Sequence, residues 1–272
     1  MQYIEVAILG IVQGITEFLP VSSSAHLIIA RNLLGIGKII SSNNLDFTFD
    51  IAVHFGTLLA IVLVFFKDFW KIFIKGITKG TKDPDGKLLW LIVVATIPAA
   101  IAGLLFDDIV DSIFRKKFIL IALALILMGI IIYFADKKSK SKKDIYDISF
   151  KDALMIGLSQ VLALVPGFSR SGTTIATSRK LNINKEASTK FSFFLSTPII
   201  LGAVVVALIK EDLSLVIANY QIFLIGISIS FLTGVLAIKF LLKYIKKNDF
   251  SVFMWYRLII GLLIIFKVIL KI

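Results

Sequence analysis

The chain contains no cysteine among its 272 residues. Disulfide bonds, thiolate catalysis and cysteine-ligated metals are therefore excluded. Charged residues are also scarce at 18%, against about 25% in an average soluble domain, and only two histidines are present. The N-terminus has no basic region and no small-residue cleavage site, so we expect no cleavable signal peptide.

Apolar sequence is abundant instead: 58% of the residues are hydrophobic and the mean hydropathy is +0.93. This composition predicts an all-α integral membrane protein. A membrane-spanning helix needs about 20 mostly apolar residues. Six segments meet that requirement: 47–66, 88–106, 117–135, 188–209, 217–242 and 250–270.

Two further apolar regions are interrupted by polar residues. Region 4–35 is broken at LPVSSS, and region 151–180 is broken at VPGFSRSGTT. Each half has only about 9–16 residues, too few to cross a bilayer alone. Proline and glycine end the first half-helix, and the following serines and threonines suit N-caps of the second. We predict two re-entrant helix pairs, each entering and leaving on one side of the membrane.

The basic residues predict the topology. The net charge is +12, and twenty of the thirty lysines and arginines fall in 67–87, 136–151, 179–190 and 239–247. Eight lie on the opposite side of the predicted spans, so the first set faces the cytoplasm by the positive-inside rule. Both termini then lie outside, and the first re-entrant pair enters from there. Because the excess charge orients the protein in the membrane, we predict no nucleic-acid partner.

The two interrupted regions also match each other at an offset of 147 residues. The matching positions are Gly10, Gln13, Ser22 and Ser24 with Gly157, Gln160, Ser169 and Ser171. Each region precedes three predicted spans, and an odd number of spans inverts the second copy. We therefore predict one membrane domain over 1–272, in which repeat 1 (1–135) and inverted repeat 2 (150–272) are joined by a basic cytoplasmic linker (136–149).

Polar side chains at membrane depth are costly and are functional candidates by default. The two breaks contain Glu17, Ser22, Ser23, Ser24 and His26, and Ser169, Arg170, Ser171, Thr173 and Thr174. Helix N-termini attract anions, and an arginine fork suits phosphate oxygens. The predicted ligand is a phosphate or a diphosphate.

Three of these residues suggest hydrolysis. Ser23 and His26 are three residues apart, so at the start of a helix they share a face and suit a nucleophile–base or nucleophile–acid pair. Glu17 either holds a divalent cation that bridges phosphate oxygens or orients His26.

Structural roles are open for several other polar residues. The hydroxyls of Ser22, Ser24, Thr173 and Thr174 serve equally well as helix caps or as ligands. His54 either lines the cavity or bonds across helices. Arg257, in MWYRLIIG, is expected to pair with a charge or to snorkel to an interface.

QGITEFLPVSSSAH and PGFSRSGTTI resemble the two signature regions of the undecaprenyl-diphosphate phosphatase family, known for bacitracin resistance. The similarity extends through FDIAVHFGTLLA, FSFFLSTPIILGA and a late YR, nearly the whole chain. It implies a multi-pass enzyme of the cell membrane that removes the terminal phosphate of a polyprenyl diphosphate and recycles the lipid carrier for cell-wall polymers. It also implies re-entrant inverted repeats, a homodimer, Mg²⁺ or Ca²⁺ as cofactor, and a site open to the extracytoplasmic side.

The resemblance assigns roles by position. Glu17 matches the essential glutamate, Ser23 the proposed nucleophile, His26 the motif histidine and Arg170 the phosphate-binding arginine. The other substrate-binding candidates are Gln13, Ser22, Ser24, Ser169, Ser171, Thr173 and Thr174. Two positions depart from the pattern, since Gln13 stands where many members have a second glutamate and Ala25 replaces the usual glycine before the histidine.

Two other functions fit parts of the sequence. A polyprenyl-phosphate transporter or flippase would share the inverted repeats and the phosphate-binding groups, but it has little need for a nucleophile and its base. A type-2 phosphatidic acid phosphatase is disfavoured, because SSSAH only faintly echoes its PSGH motif and no histidine follows Arg170 as that family requires.

Overall fold

The computed structural model describes residues 2–37, 40, 45–114, 117–210 and 213–270, and these residues form α-helices without a β-sheet. The helices are α1 Gln2–Phe18, α2 Ser23–Asn32, α3 Asp46–Val64, α4 Phe66–Thr78, α5 Pro84–Phe114, α6 Phe118–Lys138, α7 Phe150–Gln160, α8 Arg170–Lys180, α9 Lys185–Lys210, α10 Leu213–Ala218, α11 Tyr220–Tyr244 and α12 Ser251–Leu270. The all-α prediction is confirmed.

In this part of the chain, six helices are long and apolar enough to cross a membrane. They are α3, α5, α6, α9, α11 and α12, which correspond to the six predicted spans. The structure differs from the prediction in one loop and at the start of one span. The basic segment 67–87 contains the amphipathic helix α4, and the span predicted from residue 217 begins at Tyr220, after the separate short helix α10.

The two interrupted regions form pairs of shorter helices. The first pair is α1 and α2, and the second is α7, a 3₁₀ turn over Val161–Leu164, and α8. Helix α2 has 10 residues and, at 1.5 Å per residue, is about 15 Å long, half the thickness of a bilayer core. None of these four helices is among the six candidate spans.

The two halves of the chain pack against each other. Helix α1 lies against α11, and α7 lies against α5, while α6 and α12 pack together. Glycines permit the contacts of α1 with α11 and of α7 with α5. A Cβ at Gly10 would lie 3.1 Å from the Gly226 carbonyl oxygen, and one at Gly157 would lie 2.3 Å from the Ala95 carbonyl oxygen. Gly10 and Gly157 occupy matching positions of the 147-residue offset.

A buried aromatic cluster packs against the end of α1. The Phe18 and Phe193 rings meet edge to face with their centroids 5.4 Å apart, and Phe65 packs on Phe194 at 5.4 Å. Edge-to-face aromatic pairs contribute about 0.5–1.5 kcal/mol beyond their buried area. Because Phe18 follows Glu17, this cluster fixes the end of α1 against α9 and so positions the carboxylate.

Candidate active site

Both interrupted pairs turn at a serine with a left-handed backbone. Ser22 precedes α2 with φ 76° and ψ 94°, and Ser169 precedes α8 with φ 74° and ψ 123°. This region is uncommon for a residue other than glycine, and such strain costs on the order of 1–3 kcal/mol. The two serines are 147 residues apart, so the strained turns recur at matching positions of the two regions.

Glu17 lies between the two turns and is almost fully buried. Its Oε1 pairs with Arg170 Nη2. Its Oε2 accepts hydrogen bonds from Ser23 Oγ at 2.6 Å and from Gln13 Nε2 at 3.0 Å. Ser23 is the first residue of α2 and Arg170 is the first residue of α8. One carboxylate therefore contacts the N-terminal residues of both half-helices.

Arg170 also connects the second helix pair to the span α9. Its Nη1 donates to the Ser196 carbonyl oxygen of α9 at 3.0 Å. The first-turn N–H groups of a helix lack intrahelical acceptors and attract anions. With a guanidinium beside the N-termini of α2 and α8, the site has the donors that a phosphate group requires.

His54 of α3 also faces the carboxylate. Its Nε2 lies 3.4 Å from Glu17 Oε2, and its Nδ1 lies 2.6 Å from the Asp50 carbonyl oxygen. A carbonyl oxygen only accepts hydrogen bonds, so Nδ1 carries a proton. The contact with Glu17 joins α3 to α1, so of the two roles left open by the sequence the structure shows the one across helices, and it places that contact at the Glu17 carboxylate.

The predicted pairing of Ser23 with His26 is not formed. His26 Nδ1 donates to the Ser22 carbonyl oxygen at 2.7 Å, and Nε2 lies 2.8 Å from the Tyr256 hydroxyl. The His26 and Tyr256 rings are stacked with centroids 5.6 Å apart. Although Ser23 and His26 share a helix face, each side chain reaches a stronger acceptor first: Ser23 reaches the Glu17 carboxylate and His26 the carbonyl one turn back.

The turn serines Ser169 and Ser22 each contact the serine two positions further on, but only Ser169 caps its helix. Ser169 Oγ accepts from a first-turn N–H of α8 at 3.1 Å, which confirms a serine cap, and lies 3.2 Å from Ser171 Oγ. Ser22 Oγ lies 3.3 Å from Ser24 Oγ but makes no capping hydrogen bond. It accepts instead from the Gly167 N–H at 3.2 Å, joining the first turn to the second.

The two threonines of α8 bond to the protein itself. Thr173 and Thr174 Oγ1 donate to the Arg170 carbonyl oxygen at 3.0 and 2.8 Å, and Thr174 also lies 2.7 Å from Ser192 Oγ. Thr174 is fully buried. These contacts favour the structural role over the ligand role that the sequence left equally open.

Arg257 is a residue whose importance the sequence did not reveal. The expectation that it pairs with a charge or snorkels is wrong, because it is fully buried and donates to backbone carbonyl oxygens. These belong to Pro20 in the first break, at 2.8 Å, to Gly167 and Phe168 in the second, and to Leu125 of α6, at 2.9 Å. Only an arginine fork reaches several acceptors in one plane. The sequence did offer one signal of this importance, because a charged residue within an apolar segment is a functional candidate by default.

The site offers few protein ligands for a cation. Among the described residues, no group of three or more histidines or carboxylates is arranged to hold a metal ion. Gln13 Oε1, however, is buried without a hydrogen-bond partner in this part of the structure, and its amide nitrogen contacts Glu17. Mg²⁺ is commonly bound by one or two carboxylates together with water and substrate phosphates. The donor set therefore fits a cation whose shell is completed by the phosphates.

The fold and the site define a multi-pass membrane protein in which two broken helix pairs meet at a buried Glu–Arg pair beside a serine hydroxyl. Residues 6–263 match the bacitracin resistance protein BacA family. The chain is 46% identical over 257 residues to the undecaprenyl-diphosphatase of Caldicellulosiruptor bescii, covering 94% of each chain. It is 42% identical over 271 residues to that of Elusimicrobium minutum, covering 100% of each. The chain belongs to the BacA family.

Proposed function

We propose that the protein hydrolyses undecaprenyl or a similar polyprenyl diphosphate to the monophosphate and inorganic phosphate, which recycles the lipid carrier and confers bacitracin resistance. The observation that carries this proposal is the 2.6 Å hydrogen bond from Ser23 Oγ to Glu17, beside Arg170, in a chain of the BacA family. A lipid carrier or flippase has little need for a nucleophile bonded to its base, so this geometry favours the phosphatase.

In this mechanism, Arg170 and the N-termini of α2 and α8 bind the terminal phosphate. The phosphate then competes with Glu17 for the Arg170 guanidinium, which leaves the carboxylate available as a base. Ser23 gives its proton to Glu17 while its Oγ forms a bond to the terminal phosphorus. The bond from that phosphorus to the bridging oxygen breaks, and polyprenyl phosphate leaves with the bridging oxygen.

A water molecule completes the reaction. It attacks the phosphoserine phosphorus as the bond from that phosphorus to Ser23 Oγ breaks. Oγ takes back the proton that Glu17 received in the first step, and both hydrogens of the water leave with inorganic phosphate, so that Ser23 and Glu17 return to their starting states. His26, held between Ser22 and Tyr256, lies one turn from Ser23 and is available to transfer a proton to the outside of the site. A divalent cation, Mg²⁺ or Ca²⁺, would be held by Glu17 and Gln13 Oε1 and would offset the charge of the phosphates.

An apolar groove of about 230 Å³ suits part of the lipid tail of this substrate. It lies between α3, α9 and α11 and is lined by Phe55, Val204 and Phe223 among other apolar side chains. Helices α3 and α9 also carry His54 and Ser196, the residues that contact Glu17 and Arg170. The groove is therefore built on two of the helices that form the phosphate site, as an amphipathic substrate requires.

The finer topology is part of the same proposal. We infer that α1–α2 and α7–α8 are re-entrant pairs of an inverted repeat. The strained serines at matching positions support this inference. So does the packing of each pair on the opposite half of the chain, α1 on α11 and α7 on α5. The excess of lysine and arginine in loops on one side supports an orientation with those loops in the cytoplasm. The family resemblance implies a cell-membrane location with the site open to the extracytoplasmic side. A homodimer is expected as in the family that the motifs resemble.

Phosphate release from farnesyl diphosphate and from undecaprenyl diphosphate by purified protein with Mg²⁺ tests the activity. We expect release from both, and loss of release in Glu17→Gln. Ala52→Phe, which fills the groove, is expected to raise KM for the long substrate more than for the short one. A folded wild-type protein that binds these lipids but releases no phosphate would refute the hydrolase and leave the carrier function.

A further inference from the structure

Helix α4 joins two candidate membrane spans, Asp46–Val64 and Pro84–Phe106. Two consecutive spans with a short connection leave and re-enter the membrane at the same face. Helix α4, which fills 66–78 of that connection, therefore lies at the membrane surface. The predicted loop in this segment is in fact an ordered helix with distinct faces.

One face of α4 is apolar and exposed. It consists of Phe66, Trp70, Phe73, Ile74 and Ile77, at the i, i+4, i+7, i+8 and i+11 spacing of a single helix stripe. Trp70 is 63% exposed and Ile77 is 65% exposed. A stripe of five large apolar residues at the membrane surface needs an apolar environment.

A second face fixes the helix against α5. Ile72 and Gly76 are buried, and a Cβ at Gly76 would lie 2.3 Å from Leu89 Cδ2, so only glycine permits this approach. Trp90 Nε1 of α5 also donates to the Gly76 carbonyl oxygen at 3.3 Å. Because α4 cannot rotate without losing these contacts, its apolar stripe is held away from the protein.

The third face of α4 carries lysines, most of which are paired with carboxylates. Asp83 lies 3.2 Å from Lys75 and 3.9 Å from Lys79. Asp85, at the start of α5, binds Lys71 at 2.9 Å and Lys75 at 2.8 Å, and accepts a hydrogen bond from Tyr146 at 2.8 Å. That hydrogen bond, together with burial, raises the pKa of Tyr146 to about 12, so the phenol keeps its proton at neutral pH. Lys67 is exposed at the edge of the apolar stripe, and no described carboxylate forms an ion pair with it.

We propose that α4 is an interfacial helix that binds anionic phospholipid, with its apolar stripe at the acyl-chain boundary and Lys67 at the headgroup phosphate. Leu63, near the end of the adjoining span α3, is also apolar and exposed. Lys67, with which no described carboxylate forms an ion pair, complements an anionic headgroup. This site is separate from the Glu17–Arg170 centre, so it does not depend on the proposed hydrolysis.

Trp70 provides a direct test in lipid nanodiscs. In a protein with Trp90→Phe and Trp255→Phe, we expect phospholipids brominated on the acyl chains to quench Trp70 fluorescence, and aqueous acrylamide to quench it weakly. Brominated phosphatidylglycerol should quench more than brominated phosphatidylcholine at the same mole fraction. Lys67→Gln should reduce this preference, by up to about fivefold for one surface lysine.

Two controls keep the test decisive. A protein that retains only Trp255, which is 57% exposed on α12, should be quenched by both lipids without a change on Lys67→Gln. If the double tryptophan replacement unfolds the protein, the difference in quenching between wild type and Trp70→Phe gives the same quantity. Quenching by acrylamide alone, protection from both quenchers as under a second copy of the chain, or equal quenching by the two lipids would each overturn the proposal.

Discussion

The Ser23 hydroxyl donates a hydrogen bond of 2.6 Å to Oε2 of Glu17, the same carboxylate whose Oε1 pairs with Arg170. The base that is hydrogen-bonded to Ser23 is thus a carboxylate on α1 rather than the histidine on its own helix. The same carboxylate is bonded to the residue that is proposed to bind phosphate. Substrate binding and base activation are therefore coupled through one side chain.

Ser23→Ala is expected to lower kcat for diphosphate hydrolysis at least about a hundredfold, since it removes the nucleophile. Ser24→Ala is the matched control, because Ser24 contacts only the neighbouring Ser22 hydroxyl among the described side chains. Phosphate release measures both. Equal losses in the two variants would show that the hydroxyls act in binding and not as a nucleophile.

Replacing Arg170 by methionine should destabilise the protein by about 3–5 kcal/mol, because it leaves Glu17 buried without its cation. Adding Glu17→Gln to Arg170→Met should restore much of that stability while activity stays absent. Thermal unfolding in detergent and phosphate release separate the two effects. A double variant no more stable than Arg170→Met would mean that the pair is not a buried ion pair in solution.

Arg257→Lys is expected to lower both the unfolding temperature and the kcat of the folded protein. A lysine cannot reach the carbonyls of both breaks, and each buried acceptor left unbonded costs about 1–3 kcal/mol. Arg179→Lys is the control, since Arg179 is equally buried but pairs with Asp136 away from the site. That change should lower stability and leave kcat intact below its unfolding temperature. Identical kcat in both variants would assign Arg257 a purely structural role.

Gly14→Ala should destabilise the contact of α1 with α11. A Cβ at Gly14 would lie 1.9 Å from Thr233 Oγ1 and 2.6 Å from the Ser230 carbonyl oxygen. Such overpacking typically costs about 1–3 kcal/mol. Gly202→Ala, in α9 with nothing within 4 Å of the new Cβ, should be neutral or stabilising, because alanine is the better helix former. Unfolding temperatures test the contrast, and equal shifts would contradict the packing.

Removal of divalent cations with EDTA is expected to abolish phosphate release, and Mg²⁺ should restore it. Gln13→Glu places a second carboxylate beside Glu17 and should lower the Mg²⁺ concentration needed for half-maximal activity, whereas Gln13→Leu should raise it. Full activity in EDTA, or a Mg²⁺ requirement unchanged in both variants, would exclude these residues as the cation's ligands.

The sequence alone determined the fold class, the six spans and the position of both breaks. Those features depend on local properties. About 20 consecutive apolar residues make a span. Pro20 and Pro166, each followed closely by serines, interrupt a helix, whereas Pro98 and Pro198, which lie in long apolar segments, stay inside α5 and α9. The candidate residues Glu17, Ser23 and Arg170 could also be found, because polar groups in apolar sequence are conspicuous.

The tertiary structure decided which of these groups meet. Ser23 bonds to Glu17 rather than His26. Arg257 joins Pro20 to Gly167, which lie 237 and 90 positions from it in the chain. Helix periodicity describes neighbours on one helix, but hydrogen bonds form with whichever acceptor the packing of several helices brings within about 3 Å. Local contacts such as Gln13 with Glu17 lie within one helix, but the partners of Arg170 and Arg257 were fixed by the packing of distant segments, which no local pattern specifies.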